Sequence, residues 1–223
     1  INMSGVNSIN WVRIVAQTVY YFFSYFQACQ INEKVNFSVP TGNFGDVYAG
    51  YLSKKMGLPI DKLIVATNQN DILHRAISNG QYKAHSVVET LSPSMDIQVA
   101  SNFERLIYDI NDQNTDKTSK IMQSIKNEKK YLIEEKELKK IRKDFVSETI
   151  SEQELLSCIK KVYENYKIII DPHTAVGLGA LKKINLAGKS VVLSTAHPCK
   201  FPEAIKKAIN ITSELPDNLN YIL

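Results

Sequence analysis

A short turn between a predicted strand and a predicted helix carries the residues best suited to hold a phosphate. Thr41-Gly42-Asn43-Phe44-Gly45-Asp46 follows the apolar run Val35 to Val39 and precedes Val47 to Met56, which has helical periodicity. Such a turn directs backbone N–H groups and the positive end of the helix dipole to one point. On this interpretation Gly42 and Gly45 are needed because a side chain would block close approach of the backbone to the phosphate or would disfavour a positive φ angle. The turn matches neither the P-loop nor the dinucleotide pattern. A plain β–α turn without a ligand is the alternative.

A second polar group follows the last predicted strand, Ser190 to Ser194. The run Ser194-Thr195-Ala196-His197-Pro198 places hydroxyls and an imidazole at the carboxyl end of that strand. A Ser or Thr hydroxyl there can hydrogen-bond a heterocyclic nitrogen without forcing it to ionise, as an Asp would. The alternative is that the hydroxyls cap the last helix and that His197 is a structural histidine.

Amide, hydroxyl and guanidinium side chains gather near the start of the first predicted helix. Asn7, Ser8, Asn10 and Arg13 are spaced so that they can converge on one anion. A capped helix with one arginine at its edge is the alternative. Asp171-Pro172-His173-Thr174, after a predicted strand at Ile168 to Ile170, is either a ligand loop or a helix start with an early proline.

Short apolar runs alternate with helical segments along the chain, which predicts an α/β fold with an open, mainly parallel sheet flanked by helices. Ligands of such sheets bind beyond the carboxyl ends of the strands, so the polar residues just after Val39, Ile170 and Leu193 are expected at one edge. Asn7 or Ser8 is expected to cap a helix that runs to about Gln30. Its apolar segment, Trp11 to Cys29, is interrupted by polar residues, which favours a buried helix over a membrane span.

The composition, with 44% hydrophobic residues and a net charge of +4, is typical of a globular protein that buries a substantial core. Ten basic against five acidic residues lie between Asp116 and Lys143. This run is typical of solvated helices; a patch for nucleic acid is the alternative. Three widely separated cysteines form no metal-ligand pattern and indicate a reducing cytosol.

Five segments in order resemble the threonine synthases, a family of lyases that use pyridoxal phosphate (PLP). The segment Leu91 to Leu106, LSPSMDIQVASNFERL, is similar to a characteristic stretch of that family. The other matching segments are Gly5 to Gln17, Val39 to Gly50, Asp171 to Gly177 and Leu193 to Phe201. The resemblance implies PLP fold type II, the fold of the tryptophan synthase beta subunit, here incomplete at its amino terminus.

The resemblance also implies roles for individual residues. Cofactor contacts are implied at Gly42, Asn43, Phe44, Gly45, Asp46 and Thr195, the last facing the pyridine nitrogen. Contacts to the substrate O-phospho-L-homoserine are implied at Asn7, Ser8, Asn10 and Arg13. The same comparison suggests that Ser94, Asp96 and His173 line the cavity.

One group that the family reaction requires is absent from the sequence. The family's Schiff-base lysine lies upstream in a Ser-Phe-Lys-Asp-like motif, and the nearest string here is Cys199-Lys200-Phe201. The chain is therefore expected to be a cytoplasmic carboxy-terminal fragment that is inactive alone, with a separate amino-terminal chain as its candidate complement. Residues 1–223 are expected to form part of the cofactor-binding domain, with a charged helical insertion around 113–147. A non-catalytic PLP- or phosphate-binding remnant, a regulatory protein, and a nucleotide-binding α/β domain are the alternatives.

Overall fold

Four parallel strands form the central sheet of the computed structural model, which describes residues 7–212. The strands follow in the order β5-β2-β1-β6, and every neighbouring pair is parallel. A separate antiparallel pair joins β3 to β4. The strands are β1 Val35–Pro40, β2 Ile60–Thr67, β3 Gln81–Lys83, β4 Lys130–Leu132, β5 Phe145–Thr149 and β6 Lys189–Val192.

Helices cover both faces of this sheet. Along β2, Leu63 and Val65 point into one hydrophobic cluster, and Ile64 and Ala66 point into another. This alternation is what the two-residue period of a strand requires when both faces are buried. The helices are α1 Trp11–Ala28, α2 Gly45–Lys55, α3 Ile72–Asn79, α4 Phe103–Ile110, α5 Thr115–Glu128, α6 Glu135–Asp144, α7 Glu152–Tyr166, α8 Pro172–Ile184 and α9 Pro202–Ile209.

The layers explain how the polar turns come together. Helix α8 packs on β1, β2 and β5 and is backed by α7, while α2 lies on β1 and β2 and is backed by α1. The Ser38 hydroxyl of β1 donates to the Gly177 carbonyl of α8 at 2.6 Å. A Cβ on Gly177 would lie 3.0 Å from Val192, so α8 approaches the sheet where only glycine fits without movement. The predicted α/β fold with a parallel sheet flanked by helices is confirmed.

One predicted strand is wrong, and three observed strands, β3, β4 and β5, were not predicted. Ile168 to Ile170 is extended but pairs with no described strand, and Ile168 is 57% exposed. The fourth strand is instead β5, at Phe145–Thr149, beside β2. Strand propensity needs a neighbouring strand to act on, and the three isoleucines lie between the end of α7 and the start of α8 with none beside them.

The first helix is also less buried than its sequence predicts. It begins at Trp11, and its cap is Asn10 rather than Asn7 or Ser8: the Asn10 side chain accepts a hydrogen bond from the Val12 N–H. Its buried residues are Ile14, Thr18, Tyr21 and Tyr25, which form a single stripe. Within residues 7–212, none of the helices is both long enough and apolar enough to cross a bilayer.

The charged stretch forms α5, β4 and α6, as the prediction of surface helices requires. Several of its cations are engaged within the protein. Lys117 pairs with Glu137 at 2.7 Å, Lys140 with Asp112 at 3.1 Å, and Arg142 donates to the Ile77 carbonyl at 2.9 Å.

Candidate functional site

A cavity of about 290 Å³ lies beyond the carboxyl ends of β1 and β6. This volume is at the lower end of the range of roughly 300–1,000 Å³ found for small-molecule sites. The turn after β1, the segment after β6, the start of α8 and the start of the chain all contribute to its wall. It is lined by Ser8, Arg13, Gln17, Pro40, Thr41, Gly42, Asn43, Phe44, Gly45, Asp46, Ser94, Met95, His173, Thr195, Ala196 and Lys200.

The turn from Thr41 to Asp46 leads directly into α2. Gly45 is the first helical residue, and Phe44 caps the helix with φ of 65°, in the left-handed region. This conformation is uncommon for an aromatic residue. Full burial of the Phe44 ring, edge-on to Phe103 at 5.3 Å, stabilises it. Close backbone approach or positive φ was the expected reason for the two glycines. Within this turn, positive φ occurs at Phe44 and at neither glycine.

The two glycines instead permit close approach by other segments. A Cβ on Gly42 would lie 2.6 Å from the Ser94 carbonyl oxygen, closer than real contacts allow. A Cβ on Gly45 would lie 3.3 Å from the Asn102 side-chain nitrogen. The turn is therefore pressed against the loop that contains Ser94 and against the start of α4.

Asn102 joins two walls of the cavity, and the sequence analysis did not single it out. The Asn102 side chain is fully buried and donates to the Ser8 carbonyl at 2.8 Å, while its backbone N–H donates to the Asn43 carbonyl at 3.1 Å. Arg105 donates to the Asn102 side chain at 3.1 Å and to the Ile9 carbonyl at 2.9 Å. The signal was present in the string Ser-Asn-Phe-Glu-Arg, an amide at a helix start followed by an arginine.

His173 is a buried part of the opposite wall. Its Nε2 accepts a hydrogen bond from the Ser94 N–H at 3.2 Å, and its Nδ1 lies 3.0 Å from an Asp171 carboxylate oxygen. This pair of contacts requires a proton on Nδ1, donated to Asp171. Burial raises the pKa of Asp171, but hydrogen bonds from His173 and Thr174 outweigh burial and hold that pKa below its usual value.

The segment after β6 completes the cavity. Thr195 lines it, and the neighbouring Ser194 hydroxyl is 3.2 Å from the Thr174 hydroxyl. His197 caps the following turn, where its Nδ1 accepts from the Cys199 N–H at 3.3 Å. The expected hydroxyls and the expected glycine turn therefore border the same space.

The sequence-based candidates divide into two groups by position. All six residues proposed for the cofactor line the cavity, together with Ser8 and Arg13. Among residues 7–212, the lining does not include Asn7, Asn10 or Asp96. Asn7 and Asn10 bond the backbone at Ile9 and Val12, and Asp96 bonds Thr90, Asn68 and Asn70. The assignment of Asn7 and Asn10 as ligands of the substrate stays a prediction, whereas Asp96, which was expected only to line the cavity, is not among the lining residues.

Comparison with known proteins shows the family to which the chain belongs. The chain is 46% identical to the threonine synthase of Pseudomonas aeruginosa over 96% of its length, and 44% identical to that of Saccharomyces cerevisiae over 94%. The crystal structure of PLP-bound threonine synthase from Brucella melitensis superposes with a TM-score of 0.94 at 44% identity, covering 97% of this chain. The chain belongs to the threonine synthase family. The family model described as "Threonine synthase, C-terminal" matches residues 174–223.

The chain spans about half the length of its threonine synthase relatives. It covers 46% of the Pseudomonas aeruginosa protein, 45% of the yeast protein and 47% of the Brucella melitensis chain. The more distant serine racemase of Dictyostelium discoideum, 16% identical with a TM-score of 0.52, shares only the fold.

The charges around this cavity are mixed. Arg13 and Lys200 supply positive charge at its wall, and Asp46 supplies a carboxyl group in the first turn of α2. Burial raises the pKa of Asp46 to about 6, although a hydrogen bond from the Tyr21 hydroxyl at 3.1 Å opposes the rise. Near pH 6 this carboxyl is half protonated, which lessens its repulsion of a bound anion.

The described residues contain no cluster of histidine, cysteine or acidic side chains able to hold a metal ion. The three cysteines, Cys29, Cys158 and Cys199, are all free thiols.

Proposed function

We propose that this chain is the cofactor- and substrate-binding carboxy-terminal part of a cytoplasmic threonine synthase. The proposed reaction converts O-phospho-L-homoserine and water into L-threonine and phosphate with PLP as the cofactor. One observation carries this proposal: the glycine turn after β1 and the hydroxyl segment after β6 line a single cavity. The PLP-bound relative from Brucella melitensis supports the choice of cofactor. The three free thiols support a reducing compartment.

The cavity suits PLP on the chemistry of its walls. The turn from Gly42 to Asp46 opens a helix, so it offers N–H groups and a positive dipole end to a phosphate. Thr195 offers a hydroxyl that can donate to a pyridine nitrogen without forcing it to ionise.

The rest of the wall suits the substrate's own anionic groups. Arg13 can take a phosphate or carboxylate through two parallel hydrogen bonds, and Ser8 adds a hydroxyl. Lys200 adds a second cation to the cavity wall. Bound PLP supplies the electron sink of the reaction. The residues of this chain orient the substrate, neutralise its leaving phosphate and exclude water through the packed walls at Met95 and Phe44.

The proposal includes inactivity of the chain by itself. The family's covalent lysine, which also moves protons on the substrate carbons, has no counterpart motif in this sequence. A separate amino-terminal chain carrying that lysine is the proposed complement. Residues 113–147 contribute none of the described cavity lining, which supports their assignment as a charged helical insertion.

Titration with PLP tests the binding part of the proposal. The purified chain is expected to bind PLP reversibly, and Thr195→Val is expected to weaken this binding by about tenfold, the value of one hydrogen bond. Thr115→Val, an identical change at an exposed position in α5, is the matched control and is expected to bind as the parent does. Equal PLP affinity of Thr195→Val and the parent would contradict the proposed cofactor site.

Turnover tests the reaction. The chain with PLP and O-phospho-L-homoserine is expected to form no threonine, whereas a mixture that also contains the amino-terminal half of a threonine synthase is expected to form threonine continuously. Sustained turnover by the chain alone contradicts the need for a complement. PLP binding with no turnover in the mixture favours a non-catalytic binding protein.

A further inference from the structure

One side of α1 exposes a continuous apolar surface. Its side chains are between 44% and 72% exposed, although each is β-branched or aromatic. Exposed apolar surface of this extent marks an interaction site in a soluble protein. This open face of α1 consists of Val12, Val15, Val19, Tyr20, Phe23 and Phe26.

The spacing of the open face is that of a packed helix. Val12, Val15, Val19, Phe23 and Phe26 recur at three- and four-residue intervals in a helix of 18 residues, a length of about 27 Å. Arg13 is the only charged residue of α1, and it lies beside this stripe. The buried stripe at Ile14 and Tyr21 faces the opposite way, onto α2. The helix therefore has two apolar faces, of which the described protein covers one.

The open face continues into the unpaired edge of the sheet. Strand β6 pairs with β1 on one side and is the last strand of the described sheet. A groove of about 640 Å³ lies between α1 and β6, with Tyr20 and Phe23 on one wall and Val192 on the other. Parallel sheets are normally buried on both faces, and open sheet edges tend to pair with another strand. An open edge beside an exposed apolar helix therefore favours a partner that supplies both a strand and an apolar surface.

The groove adjoins the candidate site. Gln17, Asp46 and Thr195 line both the groove and the cavity described above. A segment that fills the groove therefore reaches the cavity wall. The relatives of this chain are about twice its length, and more than half of the Pseudomonas aeruginosa and Brucella melitensis chains has no counterpart in it.

We propose that the open face of α1 and the edge of β6 form the docking surface for the amino-terminal half of a threonine synthase. The occupant lays apolar residues against Val19 and Phe23 and adds to the sheet at β6. This inference rests on the proposed function for the identity of the occupant, and it adds the surface and the residues that bind it.

Binding to the unaligned amino-terminal half of the Pseudomonas aeruginosa threonine synthase tests the proposal. The two chains are mixed and their affinity is measured by calorimetry and by size-exclusion chromatography. The same pair is also joined as one polypeptide. The two halves then still meet if the sequence difference between them makes binding of the separate chains weak. The parent is expected to form a one-to-one complex, and Phe23→Asp is expected to weaken it by at least about 30-fold, as for an interface hot spot.

Ile168→Asp is the matched control, because Ile168 is 57% exposed and distant from α1 in sequence. It is expected to bind as the parent does. Phe23→Asp by itself is expected to keep the parent's denaturation midpoint, since Phe23 is 65% exposed. In the joined polypeptide, Phe23→Asp is expected to lower the denaturation midpoint while Ile168→Asp leaves it unchanged.

Two results overturn the proposal. The first is an equal effect of Phe23→Asp and Ile168→Asp in both the mixed and the joined proteins. The second is a dimer of this chain that Phe23→Asp converts to a monomer, because a second copy then covers the face. A complex that forms through Phe23 but makes no threonine leaves the docking surface intact and contradicts the proposed reaction instead.

Discussion

Helices α1 and α8 have similarly apolar sequences but very different surroundings. Between Pro172 and Gly177 every residue of α8 is buried, with the sheet on one side and α7 behind. In α1, the buried residues are confined to the stripe from Ile14 to Tyr25. Apolar periodicity therefore predicts which faces of a helix can be buried. Whether a face is buried depends on the elements that lie beside it.

The two helices also differ in how they connect to the candidate site. Helix α8 begins at the cavity with a network of buried hydrogen bonds around Asp171. Helix α1 lines the cavity with Arg13 and Gln17, and its Tyr21 hydroxyl donates to both the backbone and the side chain of Asp46. The polar groups at the start of α8 therefore all have hydrogen-bond partners. Helix α1, in contrast, packs against the buried carboxyl group of Asp46, and burial of that group lowers the stability of the chain.

The largest expected effect comes from removing the cap of α8. Asp171→Ala is expected to lower the free energy of unfolding by about 3 kcal/mol, because the change leaves the His173 ring, the Thr174 hydroxyl and two backbone N–H groups without their buried acceptor. Asn10→Ala at the exposed cap of α1 is the comparison and is expected to cost about 1 kcal/mol. Urea denaturation measures both, and equal losses would break the contrast between the two helices.

The contact between the buried face of α1 and helix α2 leaves no room for an added methyl group on α2. A Cβ on Gly50 would lie 2.5 Å from the Tyr21 ring and 2.8 Å from Leu63. Gly50→Ala is therefore expected to destabilise the chain by about 2 kcal/mol, even after the gain in helix propensity. Gly179→Ala in α8 meets only the end of the Ile150 side chain at 3.1 Å, and we expect a change within about 1 kcal/mol. Thermal denaturation of both variants distinguishes a packed α1 interface from a loose one.

Asp46→Asn is expected to stabilise the chain in a pH-dependent way. The folded pKa of about 6 lies above the ordinary 3.8, so the folded chain keeps a proton that the unfolded chain has lost. The stability of the parent should therefore fall as the pH rises from about 4 to about 6. At pH 7 the variant is expected to be more stable by at most about 3 kcal/mol, and below pH 4 the difference should vanish. A variant whose advantage is the same at pH 4 and pH 7 would contradict the assigned cause.

The smallest effect is expected on the open face of α1 in the isolated chain. Val19→Ala is expected to change the free energy of unfolding by less than about 0.5 kcal/mol, since Val19 is 61% exposed. Val176→Ala, the same change in fully buried surroundings in α8, is expected to cost about 2 kcal/mol. In the complex with the proposed partner, Val19→Ala should also weaken binding. The difference between the stability losses caused by Val19→Ala and Val176→Ala should therefore be smaller in the complex than in the isolated chain.

Much of the site was predictable because its parts are local. The turn at Gly42 to Asp46 and the hydroxyl at Thr195 follow strands, and parallel strands end at one edge of a sheet. Asn102 was not predictable from such a pattern, because its role depends on two carbonyl groups that belong to distant segments. The error at Ile168 to Ile170 has a similar origin, since local strand propensity does not say whether another strand lies beside it.

The sequence by itself determined the α/β character of the fold, the family, and the polar segments that follow β1 and β6. These are properties of neighbouring residues, which backbone conformation and side-chain period control directly. Only the tertiary structure decided which of those residues share a cavity, which pKa values burial raises, and which apolar face of α1 is covered. Those properties depend on distances between segments far apart in the chain, and packing alone sets such distances.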